Sequence, residues 1–240
     1  MEVKVIIKIR WIVLSVAALL LIGGLISAER LHEIYVKSQL DPLVELNESI
    51  NNMLELKSYK YNLASGFTVD QREEVISRVV GEKQDGKTHI KGEMVNTEID
   101  IYYIDRTIYN YDSFSDKWLV IESSTKSSEE LLISELNPLS NFSFKKQVEL
   151  AEKLGFEKVD GTECLVVKCK PAIESQILET LWQNFEYQMW IDYKDRLVKK
   201  AVLVAANKQS PGTILKIEAL FSDFNENIPI DPPDITVKKK

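Results

Sequence analysis

GEKQDGKTHIKGEMVNTEIDIYYID, residues 81–105, decides between two architectures. Its first eight residues satisfy G-x-x-x-x-G-K-[ST], the pattern of a phosphate-binding loop. Such a loop works because a strand delivers glycine-rich backbone amides to phosphate oxygens. A helix must follow at once, with its N-terminal dipole aimed at the anion. The residues after Thr88 alternate with period two instead, and Gly92 falls inside the first turns such a helix would need. Asp85-Gly86 between two alternating runs is a hairpin signal, because both central positions tolerate positive φ. No later run of four apolar residues ending in Asp offers a Mg²⁺ partner. The stretch reads as a β-turn, and neither a nucleotide nor any other cofactor is expected.

Working outward, the same alternation extends from Tyr59 to about Glu122. YKYNLASGFTV, EEVISRVVGEK, KTHIKGEMV, EIDIYYID, RTIYNYD and KWLVIE are separated by Gly, Asp and Asn. Asp112-Ser113 and Asp116 bracket a further tight turn. This predicts a meander of antiparallel strands, each about five to nine residues long. KSSEELLISELNPLSNF interrupts it, with Ser127 or Ser128 capping a short helix that Pro138 stops.

Strands resume in QVELAEKLGFEKVDG, whose first half also fits a helix, and in TECLVVKCK. AIESQILETLWQNF then places Ile173, Ile177, Leu178, Leu181, Trp182 and Phe185 on one side of a predicted amphipathic helix. YQMWIDY, RLVKKAVLVAA and TILKIEALFSDF complete the strands. In the last of these Leu215, Ile217, Ala219 and Phe221 face one way and Lys216, Glu218 and Ser222 the other. NENIPIDPPDI is a Pro-rich exit that cannot continue in a sheet.

Ahead of the meander, Trp11 to Ala28 is uncharged and rich in Leu, Ile, Val and Ala. As a helix it reaches roughly 27 Å, close to the hydrocarbon thickness of a bilayer. Lys4, Lys8 and Arg10 precede it, so the short N-terminus (1–10) is expected in the cytoplasm and everything after residue 28 outside. Bulky Ile26 at the −3 position disfavours cleavage after Ala28. The segment 11–28 therefore reads as a retained, single-pass signal anchor; the alternative is a signal peptide whose removal secretes the rest. Leu43, Leu46, Ile50, Met53 and Leu54 form a helical stripe. The expected organisation is a stalk helix over 29–44, a β-rich extracytoplasmic domain over 45–234 and a basic tail over 235–240.

The chain has 30 Lys and Arg against 37 Asp and Glu, a net charge of −7. With Glu2, Lys4, Lys8 and Arg10 set aside, the exported part carries about −9, so no nucleic-acid partner is expected. Cys164 and Cys169 sit five apart in a strand, on opposite faces and roughly 16 Å apart, far beyond the roughly 4.4–6.8 Å a disulfide spans. They read as buried free thiols, and no metal site is indicated. His32 and His89, the two histidines, have no recognisable Cys or Ser nucleophile beside them. Asp100, Asp105, Asp112 and Asp116 lie near strand ends and turns, where Asp is common for backbone reasons. No catalytic residue is indicated; an envelope hydrolase built on paired carboxylates is the enzymatic alternative. Asn47-Glu48-Ser49 and Asn141-Phe142-Ser143 match the glycosylation pattern.

Several stretches resemble the LolA/LppX-like lipoprotein-carrier superfamily: LKSYKYNL entering the first strand, DSFSDKWLVIE, VDGTECLVVKCKP, MWIDYKDRLVKK and the closing FSDFNENIPIDPP. The resemblance covers about residues 45–234. It implies an α+β fold in which a strongly curved antiparallel sheet forms an open half-barrel with helices on its concave side. No lipobox cysteine follows the apolar segment, which sets the chain apart from the lipoprotein members, and no functional residue transfers by motif.

A curved sheet with an apolar inner face, roofed by a helix, can enclose a pocket for acyl chains or other hydrophobic molecules. The lining expected for it is Ile177, Leu181, Trp182, Phe185, Leu215, Ile217 and Phe221, although the same residues can equally close a core. The leading functional expectation is a membrane-anchored protein binding lipid or another hydrophobic ligand. The alternative is an envelope regulatory module that grips a protein partner, as in anti-sigma-type regulation. The anchor reading predicts that a phosphatase fused after Lys240, active only when exported, is active and sediments with the membrane fraction.

Overall fold

The computed structural model describes residues 30–69, 72–122, 144, 147–171 and 176–235, the last range beginning with two residues described in backbone only. The expected anchor over 11–28, the helix near Ser127 and the tail beyond 235 lie outside the described residues. Among the described residues no helix is long and apolar enough to cross a membrane. The chain divides into two compact units, Met1–Asp41 and Pro42–Lys240. In the first, residues 30–39 form helix α1, with a Glu33–Lys37 ion pair one turn apart.

The second unit opens with α2 (Pro42–Glu55). Six strands follow: β1 (Ser58–Val69), β2 (Arg72–Gln84), β3 (Lys87–Met94), β4 (Thr97–Ile104), β5 (Thr107–Asp112) and β6 (Lys117–Glu122). After them come β7 (Ala151–Val159), β8 (Thr162–Cys169), the short helix α3 (Gln176–Leu181), β9 (Trp182–Asp192), β10 (Leu197–Asn207) and β11 (Ile214–Ser222). All eleven strands join one sheet in the order β6-β5-β4-β3-β2-β1-β11-β10-β9-β8-β7, and every strand pairing among the described residues is antiparallel. Two meanders are thus welded where β1 meets β11. An open sheet of this width curls rather than staying flat.

The connections show why these residues turn. Asp85 and Gly86 both have positive φ, 47° and 87°, as do Val95-Asn96, Asp105-Arg106 and Asp160-Gly161. Positive φ at both centres is the two-residue turn whose twist matches the strands it joins. At the fifth tight turn, Asp112 accepts the Phe114 N–H at 3.0 Å and the Ser115 hydroxyl at 2.6 Å. No helix springs from Thr88.

Register fixes two faces. On one lie Tyr61, opposite both Phe221 and Gly81, and Leu63, opposite Ala219 and Val79. Met189, Ala201, Leu203 and Ile217 continue this face toward β8. Helix α2 packs on it over β7 to β10, burying Leu46 and Met53 while Leu54 stays exposed. Polar contacts fix α2 at both ends. Asn47 donates to the Val148 carbonyl and accepts its N–H, at 3.1 and 3.2 Å. Arg196, in the β9–β10 turn, pairs with Glu45 and Glu48, and its carbonyl accepts from Asn52.

The helix expected through Phe185 is corrected. Helix α3 stops at Leu181, and Trp182 and Phe185 belong to strand β9. The aromatic run Trp182, Phe185, Tyr187 and Trp190 suits a pleated strand. Pairing Trp182 with Asn207 and Gln183 with Ala206 satisfies the backbone, while Asn184 (φ 57°) absorbs the bulge. The roof over the sheet is α2 instead.

Gly81, the first glycine of the apparent phosphate motif, is required by packing. A Cβ there would lie 2.1 Å from the Tyr61 ring, which is buried. Gly81→Ala is expected to destabilise the protein by about 1–3 kcal/mol, the usual range for overpacking. Gly86→Asn, at a positive-φ turn position with open space around it, meets only backbone strain and is expected to cost less, under about 1 kcal/mol. Urea unfolding of the two variants checks both.

Candidate functional site

The α2-bearing face is the candidate site, because apolar side chains recur on it from β8 to β6 and α2 covers only part of it. Under α2 the packing is tight. Ile50, Met53, Leu54, Met189, Val198, Ala201 and Phe221 leave a cavity of about 20 Å³, scarcely one water. Phe221 meets Tyr59 edge-on, with centroids 6.0 Å apart. Leu215, Ile217 and Phe221 are all buried along β11, and Phe221 belongs to this filled core.

The remaining expected lining residues disperse. Leu181 is 52 % exposed at the end of α3. Trp182 and Phe185 are half-buried on β9, and the Ile177 side chain lies outside what is described. Of the seven, Leu215, Ile217 and Phe221 share one face of β11, and Phe221 alone lines the cavity under α2.

Two openings flank the filled region. At the β7–β8 end, residues 147–152 and 168–171 surround a hollow of about 510 Å³. Val148, Leu150, Ala151, Cys169 and Pro171 supply its apolar wall, with Lys168 and Lys170 at its margin; both lysines pair with Glu186. At the other end the same face continues over β4 to β6. Ile101 sits opposite Asn110, Ile108 opposite Ile121, and Asn110 opposite Leu119. Ile99, Ile101 and Ile108 are half-buried, whereas Leu119 is 47 % and Ile121 51 % exposed. Apolar side chains in such a contiguous exposed group mark a binding surface more often than scattered single ones.

The opposite face carries a polar cluster that the sequence reading passed over. The His89 ring lies between Glu82 Oε1, 3.2 Å from Nδ1, and Asp100 Oδ1, 2.9 Å from Nε2. It stacks on Tyr102 with centroids 3.8 Å apart, and Tyr102 meets Trp118 edge-on. Burial alone pushes the His89 pKa down, but the hydrogen bonds to Asp100 and Glu82 outweigh it and the net direction is up. Asp105 and Asp116 sit at positive-φ turn positions. Among the described residues no His, Cys, Asp and Glu grouping is suited to hold a metal ion. Cys164 and Cys169 are free and buried, with thiol pKa values pushed by burial to about 11 and about 12.

The comparisons bear on the fold. The Mycobacterium tuberculosis lipoprotein LppX is similar over 79 % of this chain and 97 % of its own, with a TM-score of 0.51 and 15 % identity. LprF from Mycobacterium bovis is similar over 80 % of this chain and 96 % of its own, with a TM-score of 0.53 and 12 % identity. It has the LolA/LppX-like fold. At these identities the likeness concerns architecture alone, and the open antiparallel sheet of the LolA/LppX-like type is what the sequence resemblance implied. No protein-family model and no curated protein sequence matches the chain.

Because Phe221 belongs to a filled core, Phe221→Ala is expected to cost about 3–5 kcal/mol of stability. Urea unfolding reads this directly. A loss below about 1 kcal/mol would show that the ring closes a space the fold can leave empty.

Proposed function

We propose that this protein binds a lipid or another elongated hydrophobic ligand on the α2-bearing face of its LolA/LppX-like sheet, outside the cytoplasm and tethered to the membrane by residues 11–28. One observation carries the reading: the apolar face runs past both sides of α2. The tight core under α2 has no room for an acyl chain. The ligand lies instead in the hollow beside residues 147–152 or on the apolar surface of β4–β6, where Ile101 and Ile108 are half-buried and Ile121 is half exposed. A chain of methylenes laid on such a surface gains roughly 0.8 kcal/mol per buried CH₂, so even partial coverage of a long acyl chain gives useful affinity. The Cys169 thiol in the hollow is buried, with its pKa pushed up to about 12, and in this reading the ligand is held rather than transformed.

A photoactivatable diazirine fatty acid, added to the full chain in mild detergent and followed by peptide mapping, tests this. Labelling is expected on β4–β6 peptides containing Ile101, Ile108 and Ile121, on residues 147–152, or on both. Ile101→Asn with Ile108→Asn should cut labelling of β4–β6 several-fold. Labelling confined to the opposite face, around Val80 and Leu220, would contradict the proposal, as would no specific labelling.

A further inference from the structure

We propose that His89 is a pH-operated latch that seats the C-terminal strap, residues 224–235, on the sheet face opposite α2. The strap has no regular structure, and Pro229, Pro232 and Pro233 deny it ladder N–H groups. Ile228 and Ile230 are nevertheless buried against Ile104, with Tyr102 and Tyr109 packed beside them. Hydrogen bonds hold the strap at its root. Ser58 donates to the Glu226 carbonyl, and the Asn225 N–H donates to the Ser58 carbonyl at 2.9 Å. Gln84 accepts the Ile228 N–H and donates to Asn227. The seat is thus a shelf of Tyr102, Ile104 and Tyr109, and the other side of Tyr102 is the His89 ring.

The geometry at His89 demands the imidazolium. Both ring nitrogens face carboxylate oxygens within 3.2 Å. A neutral ring has one N–H and one lone pair, so it can serve one carboxylate while turning a lone pair on the other. A neutral ring that keeps its N–H on Asp100 turns its lone pair on Glu82 Oε1, so loss of the proton drives Glu82 and the ring apart, and Tyr102 moves with the ring stacked on it.

The remaining charges on this face set the sign. From β1 comes Lys60, opposite Glu82 and paired with Asp223. Glu82 and Arg78 project from β2, Lys87, Lys91 and Glu93 from His89's own strand, and Glu98, Asp100 and the Tyr102 hydroxyl from β4. The β5 strand presents Tyr109. Asp223, just before the strap, and Glu226, on it, are both felt by Lys60. Deprotonating His89 removes one positive charge from a cluster beside an acidic strap. A histidine whose folded pKa lies above its unfolded value stabilises the structure fully below about pH 6.5 and loses that contribution as pH rises through the folded pKa. The strap is therefore seated at mildly acidic pH and released as the medium turns alkaline. The other histidine, His32, belongs to the first compact unit, and both thiols titrate well above this window.

Amide exchange of the full chain between pH 6 and pH 9, corrected for intrinsic rates, reads the latch. Protection of residues 225–231 should fall progressively as pH rises, while β9 and β10 amides such as Ile191 and Leu203 keep theirs. His89→Lys, which keeps a charge and spare donors, should abolish the pH dependence. His89→Gln should show low strap protection throughout. Strap protection that is constant with pH, or that falls together with β9 and β10, overturns the proposal. Should neither variant fold, an NMR titration of the wild-type imidazole decides: both nitrogens protonated above pH 6.5 supports the latch, and a neutral ring there refutes it.

Discussion

The pairing of β1 with β11 is the constraint on which the rest depends. It sets Tyr61 against Phe221 and Leu63 against Ala219, and by doing so gives two separate meanders a common inside. A slip of one residue would turn every side chain of one meander to the wrong face. The register also brings Gly81 beside Tyr61, so that the ring has a place to lie. Helix α2 then finds one continuous apolar floor, assembled from strands at both ends of the chain.

Coverage of that floor is uneven, and the unevenness is where function enters. The α2 region is tightly packed, leaving a cavity of only about 20 Å³, and Arg196 pairs with Glu45 and Glu48 in the first half of the helix. Beyond it the floor continues without α2, leaving Leu119 and Ile121 about half exposed. Fold likeness to LppX and LprF speaks to the sheet, whereas the proposed placement of an apolar ligand rests on this chain's own side chains. The opposite face is organised by different forces, with an ion-paired histidine supporting an aromatic shelf that a proline-rich strap covers. The proposed hydrophobic cargo lies on one face and the proposed proton response on the other.

Much of the fold is legible in the sequence because strand alternation is a local signal. Asp85-Gly86 marks its turn, and the alternation of Leu215, Ile217, Ala219 and Phe221 names the inner face of β11. Val95-Asn96 is harder to read, since a β-branched residue at φ 50° is disfavoured locally and adopted only because β3 and β4 demand the turn. The error at Trp182 and Phe185 has the same origin. Their spacing fits a helix, but pairing with β10 supplies the backbone partners, and pairing is not visible in spacing. The His89 cluster could have been found: a two-residue turn at 85–86 puts Glu82 opposite His89, and the next turn brings Asp100 diagonally beside it. What spacing could not show is that Asp100 is buried, which makes the pairing consequential.

Native mass spectrometry of the full chain, extracted from expressing cells in mild detergent, tests the central claim most directly. The account requires a population heavier than the polypeptide by the mass of one lipid or similar apolar molecule, lost when asparagine replaces Ile101 and Ile108 or when polar residues line the hollow at Val148 and Leu150. A bare polypeptide mass under conditions that preserve the fold would contradict it, and so would an adduct that survives all of these substitutions unchanged.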